Sequence, residues 1–291
     1  MDRGWTIKSN QTINYDIKIS DNIFSIENKD LLNYGSIHPT PRRLFVIDTL
    51  VNELYGKEII TYLNHHNFEY KIILLNGGES EKSLENLLFL LEEIEKFGLS
   101  RRSEPIIGIG GGVVLDIVGM AAGMYRRGVP YIRIPTTLLG IVDVSVAAKT
   151  GTNFQDRRNR LGSYYPPIAT FLDKRFIKTQ NKNEISSGMG EILKMAVIKD
   201  KFLYDIIKDN GKILLETKFD CEHSDTVINR SVKGMIEELE NNLWETNLKR
   251  VVDFGHSFSP IIEMRSLKTE YELSHGQAVT LDVLFSCVIY V

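Results

Sequence analysis

The sequence predicts an α/β domain built on a parallel sheet, followed by an all-α domain, and three observations carry that expectation. Up to about residue 165, apolar runs of strand length alternate with stretches of helical periodicity. One of these runs ends in three consecutive glycines where a helix begins. After residue 165 the strand signals thin to one short run, "ATFLD" at 169–173. The expected division is residues 1–165 and residues 166–291.

Each element follows from its local pattern. "TINYDIKI" at 12–19 alternates apolar and polar residues like a half-buried strand, "RLFVIDTLV" at 43–51 starts as a buried strand, and "YKIILLN" at 70–76 is a third. "SLENLLFLLEEIEKF" at 83–97 places leucines and an isoleucine at helical spacing opposite acidic residues, and Ser83 is positioned as its N-cap. "EPIIGIGGG" is a short apolar strand ending in glycines, "VVLDIVGMAAGMY" a helix rich in small residues, and "YIRIPTT" at 131–137 another strand. Strand, helix and strand with crossovers of this length give parallel pairing with helices on the sheet faces. Further on, "EISSGMGEILKMAVI", "KFLYDIIKDNGKILLE" and "TVINRSVKGMIEELENNLWETNL" are helical, and "TQNKNE" at 179–184 is a surface loop.

Composition narrows the partners. With 43% hydrophobic and 25% charged residues the chain is an ordinary folded one, and a net charge of -3 exerts no general pull on nucleic acid or acidic membranes. A small-molecule partner is expected. Cys221 and Cys287 form no CxxC pair, which favours a reducing compartment, and "MDRGWTIKSNQ" lacks the apolar core of a secretory signal. The longest apolar run, "AVTLDVLFSCVIYV" at 278–291, is shorter than a membrane span and contains Asp282. A soluble, cytoplasmic protein is the expectation. The helical pattern ends at Ile289, Tyr290 and Val291 with no cap or polar tail, which suggests a truncated C-terminus.

Three groups of residues could carry chemistry. Gly110, Gly111 and Gly112, at a strand end and helix start, let a pyrophosphate approach the backbone and meet unpaired helix N–H groups. A tight turn without ligand is the alternative, and the spacing is not GxGxxG. Asp48, also at a strand end, could accept from a ribose or simply cap a turn. Of six histidines, at 38, 65, 66, 223, 256 and 275, His65 and His66 look like a solvated helix end. His256 in "DFGHSF" and His275 in "LSHGQAV" stand beside glycines in apolar settings. With Glu191 of "SSGMGEILKMA" they make a two-histidine, one-carboxylate set suited to a catalytic zinc, although each histidine alone is more often structural. Lys149 and Lys194 sit in stretches too apolar or glycine-rich for ordinary solvated lysines, and Lys233 is less telling. Each could clamp phosphate or carry a proton, or pack its stem along the surface.

Together, "GIGGGVVLDIVGMAAGMYRRGV", "IPTTLLGIVDVSVAAKTGTN", "RNRLGSYYPP", "SSGMGEILKMAVI", "DFGHSF" and "SHGQAV" resemble the dehydroquinate synthase superfamily of sugar phosphate cyclases, in that family's order over about residues 40 to 290. The resemblance implies a Rossmann-like N-terminal domain, a helical C-terminal domain, NAD+ and zinc (or cobalt) between them, and a homodimer. It implies zinc ligation by Glu191, His256 and His275. For NAD+ it points to Asp48, Glu79, Lys82, Gly110, Gly111, Gly112, Asp116, Thr136, Thr137, Thr179 and Glu184. Substrate and phosphate are implied to meet Asp143, Lys149, Arg158, Asn159, Lys194 and Lys233, with Arg127 reaching in from the dimer partner. Arg158 replaces a family lysine.

Two departures sharpen the reading. Dehydroquinate synthase has Asn at the position of Asp253 and a second His at that of Pro260, and the pair found here resembles instead the branch that cyclises sedoheptulose 7-phosphate. An aspartate beside a substrate carboxylate costs from about 1 to about 4 kcal/mol at 4 Å, depending on screening, whereas beside a hydroxymethyl group it accepts a hydrogen bond. Pro260 is compatible with a helix's first turn. Leu239 with Asp253 resembles the enzymes making 2-epi-5-epi-valiolone, where those making desmethyl-4-deoxygadusol tend to carry Glu and Ala. The implied reaction is transient oxidation by NAD+, phosphate elimination, re-reduction and intramolecular aldol closure, with Lys149, Arg158 and Asn159 neutralising phosphate and Lys194, Lys233 and Asp253 orienting hydroxyls. A 3-dehydroquinate synthase or desmethyl-4-deoxygadusol synthase, a metal-dependent polyol dehydrogenase and an inactive NAD-binding remnant are the rival readings.

Overall fold

The computed structural model describes residues 4–35, 40–155, 157–267 and 269–289; His38, Tyr290 and Val291 lie outside them. The first half alternates strand and helix. Strand β1 (Asp16–Ile19) is followed by β2 (Arg42–Asp48), α1 (Thr49–His65), β3 (Glu69–Leu75), α2 (Leu84–Phe97), β4 (Ile106–Gly110), α3 (Gly112–Met124) and β5 (Tyr131–Pro135). A hairpin, β6 (Lys149–Phe154) with β7 (Arg157–Tyr164), precedes β8 (Ala169–Leu172). Helices α4 (Lys182–Lys199), α5 (Lys201–Glu216), α6 (Ser224–Leu239), α7 (Ser259–Ser266) and α8 (His275–Ile289) complete the described chain.

Six strands form one parallel sheet in the order β1-β8-β5-β4-β2-β3. Strand β8 therefore joins the sheet although it lies beyond residue 165, where the texture of the sequence changes. Residues of β2 alternate between the faces: Phe45 and Ile47 pack with Ile59, Tyr62 and Leu63 of α1, while Leu44 and Val46 pack with Leu87, Leu90 and Ile94 of α2. A third core, containing Ile192, Leu203, Leu214, Val232 and Met235, lies among α4, α5 and α6.

Local caps match the sequence. Ser83 accepts from the Asn86 N–H at 3.2 Å, and Asn181 with Glu184 forms a reciprocal capping box on α4. Pro260 stands in the first turn of α7, where its missing N–H removes no helical bond. The β6–β7 hairpin, antiparallel and separate from the main sheet, has no counterpart in the sequence reading. No helix among the described residues is long and apolar enough to cross a membrane.

Glycines set the closest helix contact. A β-carbon on Gly276 would lie 1.7 Å from the Ser187 carbonyl oxygen, and one on Gly190 would lie 2.0 Å from that of Gly276. Only bare backbone lets α4 and α8 cross this closely, and the Gly276 N–H donates to Ser187 Oγ at 3.1 Å.

Candidate active site

A cleft of about 320 Å³ opens at the carboxyl ends of the parallel strands, where such folds place ligands. Its floor is the glycine turn. A β-carbon on Gly110 would meet Asp48 Cβ at 3.1 Å and Val114 Cβ at 2.9 Å, and one on Gly111 would meet Thr137 Cγ2 at 3.2 Å. Asp48, Gly111, Gly112, Thr136 and Thr137 line the cleft from the sheet side; Thr179 and Glu184 line it from the helical side. Asp48 also caps α1 by accepting from the Leu50 and Val51 N–H groups, and burial pushes its carboxyl upward while those bonds oppose the rise. At its far end the cleft reaches Ser187 and Ser274, the latter immediately before His275.

There the candidate metal ligands converge. Glu191, on α4 and 1% exposed, His256, in the turn before α7, and His275, opening α8, offer ligand atoms within 4.8 Å of one another. His275 Nε2 lies 3.3 Å and His256 Nε2 3.8 Å from Glu191 Oε1. The other ring nitrogens have their own neighbours: His256 Nδ1 is 3.3 Å from the Phe254 carbonyl, and His275 Nδ1 is 3.1 Å from Glu263 Oε2. If each Nδ1 carries the proton, both Nε2 lone pairs face Glu191.

Charge at this point is unusually concentrated. Burial pushes the Glu191 carboxyl up, but Lys194, 2.5 Å away, and the two imidazoles outweigh it and hold the group well below the usual carboxylate range. Burial depresses His256. Burial also opposes charge on His275, yet Glu191 and Glu263 on either side raise it to about 9. Neither Glu191 oxygen accepts a well-directed hydrogen bond. Lys194 pairs with Oε2, while Oε1 faces both Nε2 atoms, and a divalent cation is what one carboxylate and two imidazoles turned to one point satisfy. The donor set fits zinc.

The remaining expected residues divide. Lys82 pairs with Asp116 at 2.5 Å, and Glu79 faces Arg158 Nε at 3.3 Å. Arg158 also contacts Glu263 and lies 2.8 Å from His275 Nδ1, so it reaches the metal candidates directly. Asn159 follows it on β7 with φ of 49°. Asp143 is half-buried in the wide π-helical turn Gly140–Val144. Lys149 is exposed and pairs with Glu245 at 2.8 Å.

Two residues are not gathered. Lys233 is 78% exposed on α6, 3.9 Å from Glu237 and beside Lys199 and Arg230. Arg127 is exposed in the turn after α3, at the opposite end of that helix from the glycine turn. Asp253 is placed differently from the bare charge assumed above: Arg250 forks onto it at 2.8 and 2.6 Å and also contacts Glu245. Its repulsion toward a carboxylate is therefore partly cancelled.

Glu245, Arg250 and Glu263 were missed. Glu245 and Arg250 lie in the polar stretch "ENNLWETNLKR", which looks solvated in sequence, and Glu263 lies in the apolar "SPIIEM", three positions after the proline that starts the helix.

Comparison with known proteins places this fold among characterised families. The 3-dehydroquinate synthase N-terminal domain profile matches residues 72–187 and the C-terminal profile residues 188–290. The chain is 44% identical over 293 residues to a 2-epi-5-epi-valiolone synthase from Actinomyces sp, covering 98% of this chain and 76% of that protein. It is 42% identical to another from Streptomyces albus, covering 99% and 71%. Among solved structures, ValA, a 2-epi-5-epi-valiolone synthase from Streptomyces hygroscopicus subsp. jinggangensis with NAD+ and Zn2+ bound, superposes with a TM-score of 0.91 at 41% identity, covering 97% of this chain and 76% of that one.

Proposed function

The chain belongs to the 3-dehydroquinate synthase family, and from that premise we propose that it is a sugar phosphate cyclase converting sedoheptulose 7-phosphate to 2-epi-5-epi-valiolone with loss of phosphate. One observation carries the site reading: a single cleft runs from the glycine turn to Ser274, against the cluster of Glu191, His256 and His275. That continuity suits a nicotinamide facing a metal-held polyol.

NAD+ supplies a reversible hydride acceptor and zinc (or cobalt) a Lewis acid that acidifies a substrate hydroxyl. The chain's own residues do the rest. Gly110, Gly111 and Gly112 admit the pyrophosphate, Asp48 accepts from ribose, and Glu79, Lys82, Asp116, Thr136, Thr137, Thr179 and Glu184 complete the cofactor's surroundings. Glu191, His256 and His275 would hold the ion. Arg158, Asn159 and Lys149 neutralise the phosphate, joined by Arg127 from a second copy in a cytoplasmic homodimer. Lys194, Asp143 and Asp253 orient hydroxyls. Lys233, which points to solvent in the single chain, is assigned to substrate only through the family pattern. The working division remains residues 1–165 for cofactor and 166–291 for metal and substrate, with β8 structurally part of the first.

The test supplies NAD+, zinc and, separately, sedoheptulose 7-phosphate or the carboxylated heptulose phosphate of dehydroquinate synthase. Phosphate release and a cyclitol from the first alone, without net change at the nicotinamide absorbance, are expected. Release from the carboxylated substrate instead moves the assignment to dehydroquinate synthase, and accumulating NADH moves it to a dehydrogenase. Cofactor binding without turnover of either substrate identifies an NAD-binding remnant.

A further inference from the structure

Glu263 has no part in the reaction outlined above, yet it is 3% exposed and touches two residues that do. Its Oε2 lies 3.1 Å from His275 Nδ1 and contacts Arg158 Nη1. Arg158 Nη1 is itself 2.8 Å from His275 Nδ1.

These contacts compete for one proton position. A guanidinium only donates, so a bond from Arg158 to Nδ1 requires Nδ1 to be unprotonated, which places the imidazole proton on Nε2, toward Glu191. That tautomer has no lone pair for a metal. A carboxylate only accepts, so Glu263 favours the proton on Nδ1 and leaves Nε2 free. His256 needs no such partner, because the Phe254 carbonyl already faces its Nδ1.

We propose that Glu263 is a positioning residue that sets the His275 tautomer for metal binding, by accepting from Nδ1 in competition with the Arg158 guanidinium that lies 2.8 Å from the same nitrogen. The inference rests on the metal reading of Glu191, His256 and His275. It adds a reason for arginine at 158: its fork reaches Glu79 on the cofactor side and Glu263 on α7, which a single ammonium spans less well. Orientation of a ligating histidine by such a partner is typically worth about 10–100-fold in metal affinity.

The experiment measures cobalt affinity of the full chain by chelator competition and the ligand-field absorption of the bound ion. Glu263→Gln is expected to weaken cobalt binding about 10–100-fold and shift the absorption, with the melting temperature of metal-free protein little changed. The double variant Glu263→Gln with Arg158→Leu is expected to recover part of the affinity, because the competing guanidinium donor is gone. Unchanged cobalt affinity in Glu263→Gln, or no recovery in the double variant, overturns the proposal. Should Glu263→Gln fail to fold, the imidazole nitrogen resonances of zinc-loaded wild-type protein decide: a proton on His275 Nδ1 supports the assignment and one on Nε2 refutes it. Wild-type protein that binds no cobalt removes the metal reading itself, a result distinct from a variant that binds as wild type does.

Discussion

Gly276 lies so close to Ser187 that any β-carbon at 276 would sit 1.7 Å from the Ser187 carbonyl oxygen. This contact holds α4 against α8 and so holds Glu191 beside His275. Gly276→Ala must push the helices apart, and overpacking of this kind costs about 1–3 kcal/mol. Calorimetry is expected to show a lowered Tm, and chelator competition a weakened metal site. Normal values for both would mean that the crossing is not what positions the ligands.

Metal removal gives the second expectation. A ligand that binds only the folded state at 100 times its Kd adds about 2.7 kcal/mol of stability. Zinc or cobalt should therefore raise the Tm of metal-free protein, and His256→Ala should abolish most of that rise. A chelator-treated sample whose Tm ignores added zinc contradicts the three-ligand site.

Asp48 separates capping from cofactor binding. Asp48→Asn keeps a side-chain acceptor for the Leu50 and Val51 N–H groups and is expected to leave stability within about 0.5 kcal/mol, since Asn and Asp cap comparably. It removes the carboxylate offered to ribose, so NAD+ affinity should drop about tenfold, equivalent to 1.4 kcal/mol. Fluorescence titration with NADH measures this.

Asp200 provides a pH-dependent prediction away from the site. It caps α5 through the Leu203 N–H at 3.0 Å and pairs with Arg230 of α6 at 2.6 and 2.9 Å. The Arg230 bonds lower its carboxyl below the ordinary value. A folded-state value below the unfolded one gives stability that is present above about pH 4 and lost as pH falls through the folded value. Asp200→Ala should cost about 1 kcal/mol at neutral pH, and its Tm deficit should shrink in acid. A deficit independent of pH would show that the ion pair contributes nothing.

Strands β2, β3, β4 and β5 were readable because buried parallel strands are short apolar runs bounded by turns. Ser83 and Pro260 were readable because caps and first turns depend on one or two residues. The β6–β7 hairpin was not, since "KTGTNF" and "RRNRLGSY" carry neither an apolar run nor strict alternation. Its residues pair backbone to backbone while most of β7's side chains face solvent, so no hydrophobic pattern records it. The convergence of Glu191, His256 and His275 is likewise invisible to periodicity, which reports faces of single elements. Local glycines hinted at it, and the helix crossing supplies the reason. Glu245, Arg250 and Glu263 escaped because a charge that turns inward to meet another is spelled the same as one that turns outward.

The hydrogen bond from Gly276 to Ser187 joins positions 89 apart in the chain. Such distant partners meet late when a polypeptide collapses from denaturant, because the intervening loop must close first. Cobalt colour therefore serves as a built-in clock for refolding: absorbance should develop after helical circular dichroism has returned, marking the moment when the two glycine-lined helices dock.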